Sequence, residues 1–196
     1  VHRLPEVREL QAYFFENYEA GLKACEQIVS SDASVMMARV SDAPVEWRVD
    51  AGVSTDPGCV RDVNEDAVRV IRPDSPEALR QRGVIAIVCD GMGGHEAGEV
   101  ASALALETIV KRLDSDEPHL PDDLVHAIQA ANRAIFETAR ANPRMRGMGT
   151  TCCSLILHNG AAYCAHVGDS RCYLLRGDQL FLMTEDHSAV MELVRR

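Results

Sequence analysis

The sequence predicts an α+β protein whose C-terminal part is an antiparallel meander of short strands. Three segments show the 3.6-residue apolar period of amphipathic helices. Seven others are short, rich in β-branched residues and bounded by turn signals. Three successive turns join the last four of these strands, and such tight turns connect antiparallel neighbours. Long helices together with hairpin-linked strands are typical of the α+β class.

The N-terminal quarter of the chain is predicted to form a helix and a linker. Apolar side chains recur at spacings of three and four between Pro5 and Val29, at Leu10, Phe14, Tyr18, Leu22 and Cys25. Residues 30–44 are small and polar apart from one short apolar island, and we interpret them as a linker or as the end of an upstream domain. The prediction is therefore that residues 1–46 are an extension or the end of an upstream domain, and that residues 47–196 form the domain that carries the chemistry.

That domain is predicted to contain strands, then two helices, then hairpins. The predicted strands cover residues 47–54, 66–71, 84–89, 151–158, 161–167, 172–175 and 179–183. Predicted helices cover residues 97–113 and 121–141, and a further one begins near residue 186. Asn159-Gly160 is a strong two-residue hairpin turn because both residues tolerate positive φ. The chain stops inside the last predicted helix, so we expect the domain to be incomplete at its C-terminus.

Composition and charge exclude several classes of protein. A formal net charge of -10 opposes binding to nucleic acid, and no apolar run approaches the roughly 18 residues that span a bilayer. The seven cysteines include no C-x-x-C pair, so the sequence offers no zinc-ligand spacing. Reduced thiols in a cytoplasmic protein without membrane or nucleic-acid partners are what this pattern indicates.

The segment with the clearest chemistry is V-I-A-I-V-C-D-G-M-G-G-H at residues 84–95, in which a buried strand ends at Asp90 and a glycine-rich turn follows. A dinucleotide loop is excluded because Glu96 stands where the third glycine is needed, and the lysine of a P-loop is missing. A carboxylate aimed into a turn without side chains suits a divalent cation. The alternative is a sharp turn with a solvated aspartate.

Two further carboxylate clusters accompany this segment. Glu65 and Asp66 open a predicted strand shortly after Arg61, and Asp169 lies between two hairpin strands. Carboxylates at strand ends beside an arginine can build a two-metal site that handles phosphate, since the guanidinium fork matches phosphate oxygens. A loop salt bridge between Arg61 and Glu65, and a turn-fixing role for Asp169, are the structural alternatives.

Five motifs in order carry a family resemblance: R-x-x-N-E-D at residues 61–66, D-G-M-G-G-H at 90–95, G-T-T at 149–151, V-G-D-S-R at 167–171 and D-H-S at 186–188. They resemble the successive motifs of bacterial type 2C (PPM-type) metal-dependent serine/threonine protein phosphatases, over about three quarters of the chain and the N-terminal half of the domain. The resemblance implies a four-layer α-β-β-α sandwich of two antiparallel sheets flanked by helices. It also implies hydrolysis of phosphoserine and phosphothreonine on proteins.

The resemblance assigns metal-binding roles to five residues. Asp90 would bridge two Mn²⁺ or Mg²⁺ ions, and the Gly91 carbonyl would bind one of them. Glu65 and Asp66 would hold metal-bound waters or ligate the second ion. Asp169 would help to hold the third, weaker ion of bacterial members.

Catalytic roles fall on two more residues. Arg61 would bind the substrate phosphate, and His95 would act as general acid for the departing serine or threonine oxygen. The structural alternative for His95 is that it only supports the following helix. Hydrolysis would be direct, by a metal-activated water; a cysteine-based phosphatase is excluded because no cysteine has an arginine six positions later.

Other functions stay open on the sequence alone. One is a non-catalytic pseudophosphatase that binds phosphoproteins or a regulatory partner, and another is a dimetal hydrolase of small phosphate esters. The family implies a serine/threonine kinase that acts on the same substrates. Family members carry two further metal-binding aspartates that this chain lacks, so we expect the chain alone to be inactive and poorly soluble.

Overall fold

The computed structural model describes residues 35–39, 49–59, 63–93, 97–114, 121–158, 161–176 and 178–187. The strands are β1 (Val35–Arg39), β2 (Asp66–Ile71), β3 (Val84–Met92), β4 (Gly149–Thr150), β5 (Cys152–His158), β6 (Ala161–Val167), β7 (Tyr173–Arg176) and β8 (Gln179–Leu182). The helices are α1 (Pro76–Arg82), α2 (Ala97–Leu113) and α3 (Pro121–Ala141), followed by one 3-10 turn, Pro143–Met145.

Six strands form one sheet, called the main sheet below. Its order is β1-β6-β5-β3-β2, with the short β4 paired to the end of β3. Strands β7 and β8 form a separate two-stranded sheet. Every pairing is antiparallel, including the predicted hairpin of β5 and β6. Two antiparallel sheets with helices confirm the predicted α+β class.

Helices α2 and α3 pack against each other and cover one face of the main sheet. Ala101, Ala105 and Ile109 recur every four residues along α2 and are fully buried, because the small alanines let the helix approach the sheet closely. Ile87 of β3 points into the same core. The predicted apolar face of α3 is confirmed, since four of its residues are at most 4% exposed: Leu124, Ile128, Ala131 and Ile135. Among the described residues, none of the helices combines the length and the apolar character needed to cross a bilayer.

Three predictions about single elements differ from the structure, and one helix was missed. The predicted strand at 47–54 is wrong over residues 49–54, which belong to no strand. The linker interpretation of 30–44 is wrong over residues 35–39, because β1 pairs with β6. Helix α1 was missed, and residues 183–187 contain no helix where one was expected to begin. The predicted N-terminal helix lies outside the described residues, and the domain boundary at residue 46 stays a prediction.

Candidate metal centre

Two predicted carboxylates face each other across neighbouring strands. In the antiparallel register, Asp66 at the start of β2 is the partner of Asp90 near the end of β3. The Gly91 N–H donates to the Glu65 carbonyl at 3.1 Å, so Glu65 and Gly91 form the hydrogen-bonded pair and the two aspartates the non-hydrogen-bonded one. Cα atoms of such pairs lie about 4.5 Å apart, which brings the side chains closest. Both aspartates are exposed, as a cation site requires.

A backbone contact between Gly91 and Gly98 holds this end of the sheet against α2. A Cβ atom at Gly91 would overlap the carbonyl oxygen of Gly98, and it would come within 2.6 Å of the Glu65 carbonyl oxygen. Ser102 of α2 adds a hydrogen bond from its hydroxyl to that same Glu65 oxygen at 2.6 Å. The first two turns of α2 therefore hold the strand ends that carry the carboxylates.

The Glu65 side chain lies at the N-terminal end of α2. A Cβ atom at Gly98 would come within 2.5 Å of Glu65 Oε1, so the carboxylate passes directly beside the helix backbone. The dipole at a helix N-terminus favours negative charge, so this position suits an acidic side chain close to the aspartate pair.

The backbone of Asp90 is held on its other side by two buried threonines. The Asp90 N–H donates to Thr151 Oγ1 at 3.0 Å, and the Asp90 carbonyl accepts from the Thr151 N–H at 2.8 Å and the Thr150 hydroxyl at 2.9 Å. Thr150 and Thr151 are at most 2% exposed. Both belong to the G-T-T motif, to which sequence reasoning assigned no role; their role is to fix the strand end that presents Asp90.

Asp169 is exposed on the loop that follows β6. Thr151 Oγ1 lies 2.7 Å from Ser170 Oγ, which ties this loop to the Asp90 strand. Gly168 has a φ of 93° and packs so closely on Thr151 that a Cβ would lie 2.7 Å from Thr151 Cγ2. Asp169 is thus connected to Asp90 through Thr151, although the two carboxylates are not register partners.

Three other contacts, made by two side chains, support the loops around the centre. The Asn64 side chain accepts from the Asp66 N–H at 3.0 Å and donates to Thr55 Oγ1 at 2.7 Å, which orders the turn before β2. Arg171 forms a two-pronged ion pair with Asp186, and this guanidinium holds the pKa of the Asp186 carboxyl below its usual range. Arg171 therefore serves the loop rather than a substrate.

Two stacked histidines beside this loop have lowered pKa values. His166 stacks on His187 with ring centroids 4.6 Å apart, and its Nε2 accepts from the Glu185 N–H at 3.3 Å. Burial, together with the neighbouring His187, lowers the pKa of His166 to about 4. Burial also lowers the pKa of His187.

The donor set of the centre fits hard divalent cations. Asp66, Asp90 and Glu65 supply carboxylate oxygens, Gly91 supplies a backbone carbonyl, and Mg²⁺ and Mn²⁺ prefer oxygen ligands. Two like charges directly opposite each other destabilise a strand pair unless a cation offsets them. The two predicted catalytic residues, Arg61 and His95, lie outside the described residues, so their positions stay predictions.

Comparisons with known proteins give one consistent result. The family model described as "Protein phosphatase 2C" matches residues 59–193, more than half of the chain. The serine/threonine phosphatase stp of Listeria innocua is 38% identical over 146 residues, covering 72% of this chain and 56% of the relative. The chain thus spans about half the length of that curated relative.

Two crystal structures share the fold. The Mycobacterium tuberculosis serine/threonine phosphatase PstP/Ppp has a TM-score of 0.61 at 32% identity, over 82% of this chain and 58% of that one. A structure of the PstP catalytic domain in complex with two manganese ions has the same TM-score and identity, over 82% of this chain and 60% of that one.

Proposed function

The chain belongs to the protein phosphatase 2C family, and from this premise we propose that the protein hydrolyses phosphoserine and phosphothreonine on other proteins at a dinuclear Mn²⁺ or Mg²⁺ site. The observation that carries the proposal is the cross-strand pair of Asp66 and Asp90. Support for the metals comes from the all-oxygen donor set and from the similar PstP domain that holds two manganese ions.

Each residue of the centre has a defined task in this proposal. Asp90 would hold both cations, Asp66 and Glu65 would hold the second one or its waters, and Gly91 would contribute its carbonyl oxygen. Asp169, on the loop tied to Thr151, helps to hold a third, weaker ion. When bound, the cations supply a water of lowered pKa and neutralise charge on the phosphoryl oxygens.

Two further residues complete the proposed chemistry. Arg61 binds the equatorial phosphate oxygens through its guanidinium fork, which leaves phosphorus open to attack in line with the departing oxygen. His95 donates a proton to that serine or threonine oxygen as it leaves. No residue of the chain becomes phosphorylated in this scheme.

The proposed setting follows from the same premise. The substrates are phosphorylated proteins, and a serine/threonine kinase that acts on the same proteins is the expected counterpart. The cytoplasm is the proposed compartment, in line with the free thiols of the described cysteines.

The test is Mn²⁺-dependent release of phosphate from a phosphothreonine peptide by the full-length protein and its Asp90→Asn variant. Loss of a residue that only hydrogen-bonds to a metal ligand typically lowers activity about 10- to 100-fold. Because Asp90 is proposed as a ligand itself, we expect kcat/KM to fall by more than that. Asp178→Asn, an exposed aspartate in the β7–β8 turn, is the matched control and should keep full activity.

Three outcomes would contradict the proposal. A folded, manganese-loaded protein that binds phosphopeptides without turnover is the non-catalytic pseudophosphatase. A protein that cleaves small phosphate esters but no phosphopeptide belongs to the dimetal hydrolases of small molecules. Activity that is unchanged in Asp90→Asn removes Asp90 from the centre.

A further inference from the structure

Three cysteine sulfurs converge on the face of the main sheet opposite the helices. The Sγ atoms of Cys153, Cys164 and Cys172, called the thiol cluster below, all lie within 4.8 Å of one another. Cys164 of β6 is paired with Leu155, two residues beyond Cys153 on β5, so the two cysteines are diagonal neighbours on one face. Cys172 joins them from the loop before β7.

No sequence pattern predicts that these three cysteines lie close together. The three residues are 11 and 8 positions apart and form no C-x-x-C pair, so the sequence predicted no zinc site. The sheet register brings the first two together, and the loop tied down by Ser170 and by the Arg171–Asp186 pair brings the third. Cys172 is held from its own backbone as well, because its N–H donates to Thr184 Oγ1 at 3.1 Å.

We propose that the thiol cluster binds one thiophilic divalent cation, with Zn²⁺ as the representative ion, through three sulfur ligands. Zn–S bonds of about 2.3 Å in tetrahedral geometry need sulfurs about 3.8 Å apart. The sulfurs already lie within 4.8 Å, so small side-chain rotations close the site. Cys153 and Cys172 are half-buried, which leaves the ion a path to the buried Cys164.

A buried histidine beside the thiol cluster gives independent support. His166 is the register partner of Cys153, is 6% exposed, and its Nδ1 atom has no hydrogen-bond partner among the described residues. Because Nε2 accepts from the Glu185 N–H, Nδ1 carries the ring hydrogen. A buried donor without an acceptor is costly, and a thiolate at Cys172, which interacts electrostatically with His166, would place negative charge near this ring.

The proton balance of the thiol cluster is consistent with cation binding. Hydrogen bonds from Cys153 and Cys164 lower the pKa of Cys172, while contacts with the other two thiols raise the pKa of Cys164. Cation binding forms three metal–sulfur bonds, and each thiol that becomes a ligand releases its proton to solvent.

Sulfur ligands make this site chemically distinct from the carboxylate centre. Thiolates select Zn²⁺ over Mn²⁺ and Mg²⁺, whereas carboxylate and carbonyl oxygens favour the two hard ions. Val88, the register partner of Cys153, lies two residues before Asp90 on β3, so the two sites share one face of the sheet. The inference does not depend on the proposed phosphatase activity.

The test is a Zn²⁺ titration of the reduced full-length protein in competition with a chromophoric chelator. We expect one tightly bound equivalent that persists in Asp90→Asn, which weakens the carboxylate centre. Loss of a residue that only hydrogen-bonds to a metal ligand typically weakens metal binding about 10- to 100-fold. Cys172→Ala removes a ligand and should weaken Zn²⁺ binding by more than that. Cys59→Ala is the matched control, because Cys59 is exposed and outside the thiol cluster.

X-ray absorption at the zinc edge of the wild-type protein gives a readout that needs no variant. Three sulfurs at about 2.3 Å are expected. A shell of oxygen and nitrogen alone, or Zn²⁺ affinity unchanged in Cys172→Ala, would overturn the proposal. So would reduced protein that takes up no Zn²⁺ while its oxidised form links two of the three cysteines, since the thiol cluster would then be a redox pair.

Discussion

The two faces of the main sheet serve different purposes, and strand β3 shows the contrast within two consecutive residues. Ile87 points toward α2 and α3 and is fully buried, whereas Val88 points the other way and is 44% exposed. The helix-covered face holds the apolar core. The opposite face carries Asp66, Asp90 and the thiol cluster. Ile87 and Val88 thus lie in different environments because successive side chains of a strand point to opposite faces, so substitutions at these two positions should differ in their effect on stability.

Among these substitutions, Gly91→Ala should lower the free energy of unfolding most, because it disturbs the packing of α2 on the main sheet. The new Cβ would overlap the Gly98 carbonyl oxygen and approach the Glu65 carbonyl oxygen, and both are backbone atoms that cannot rotate away. We expect a loss of more than about 4 kcal/mol in the free energy of unfolding, measured by urea denaturation. Gly149→Ala is the control, since its Cβ would meet only the flexible Met92 side chain at 3.4 Å. Equal losses in both variants would mean that the glycine contact does not hold the strand end.

The pair Ile87→Ala and Val88→Ala compares the two faces directly. Removing the buried isoleucine side chain should cost about 2–5 kcal/mol of unfolding free energy, through lost burial and a residual cavity. Truncating the exposed valine should change it by about 0.5 kcal/mol or less. Urea denaturation of both variants measures the difference. A cost of several kcal/mol at Val88 would show that another element covers this face in the protein tested.

The stability of the protein should depend on pH through His166, which lies on the face of the main sheet opposite the helices. The His166 pKa is about 4 in the folded protein against 6.5 when unfolded, so the unfolded chain binds more protons between these values. The contribution of His166 to the free energy of unfolding is therefore constant above pH 6.5. It falls by at most about 3 kcal/mol as the pH drops from 6.5 to 4. Thermal unfolding of wild type and His166→Gln across this range measures it, and the variant should show a flatter dependence.

A control variant and the position of the Asp186 pKa help to assign the effect to His166. His126→Gln, which replaces an exposed histidine on α3, is the control substitution measured alongside. The Asp186 carboxyl has a lowered pKa, so its contribution is lost only below its ordinary value of 3.8, outside the histidine window. An unchanged slope in His166→Gln would mean that His166 is accessible to protons in the folded protein.

Arg171→Ala should have the smallest effect of the four. The ion pair with Asp186 is solvent-exposed on the arginine side, and such pairs contribute little and are screened by salt. We expect a slight loss of thermal stability at low ionic strength, none at high ionic strength, and unchanged KM for a phosphopeptide. A raised KM would instead assign Arg171 to phosphate binding.

Long elements with a local signal were predictable from the sequence, whereas a short helix and elements defined by distant partners were not. Helices α2 and α3 and strand β6 match their predicted bounds because apolar period and turn residues mark them. Helix α1 was missed, although it has clear end signals. The Ser75 hydroxyl oxygen accepts a 3.1 Å hydrogen bond from the Ala78 N–H at its start, and Gly83 ends it. Its seven residues were too few for a clear period.

The candidate centre divides along the same line. Strand-end carboxylates next to glycines are a local pattern, and this pattern indicates Asp66, Asp90 and Gly91 from the sequence alone. Their supports follow from contacts between residues far apart in sequence: the Thr151 hydroxyl reaches Asp90 over 61 positions, and the Ser102 hydroxyl reaches Glu65 over 37. No local pattern encodes such pairings, and the thiol cluster depends on the sheet register in the same way.

Strand β1 has a practical consequence for anyone who shortens this chain. It lies at one edge of the main sheet and satisfies the outer backbone groups of β6, although the family match begins only at residue 59. A variant cut to that match would expose β6 as an unpaired edge, and unpaired edges recruit other chains. Such a variant should aggregate by edge-to-edge strand pairing, and extending it back to residue 35 should prevent this.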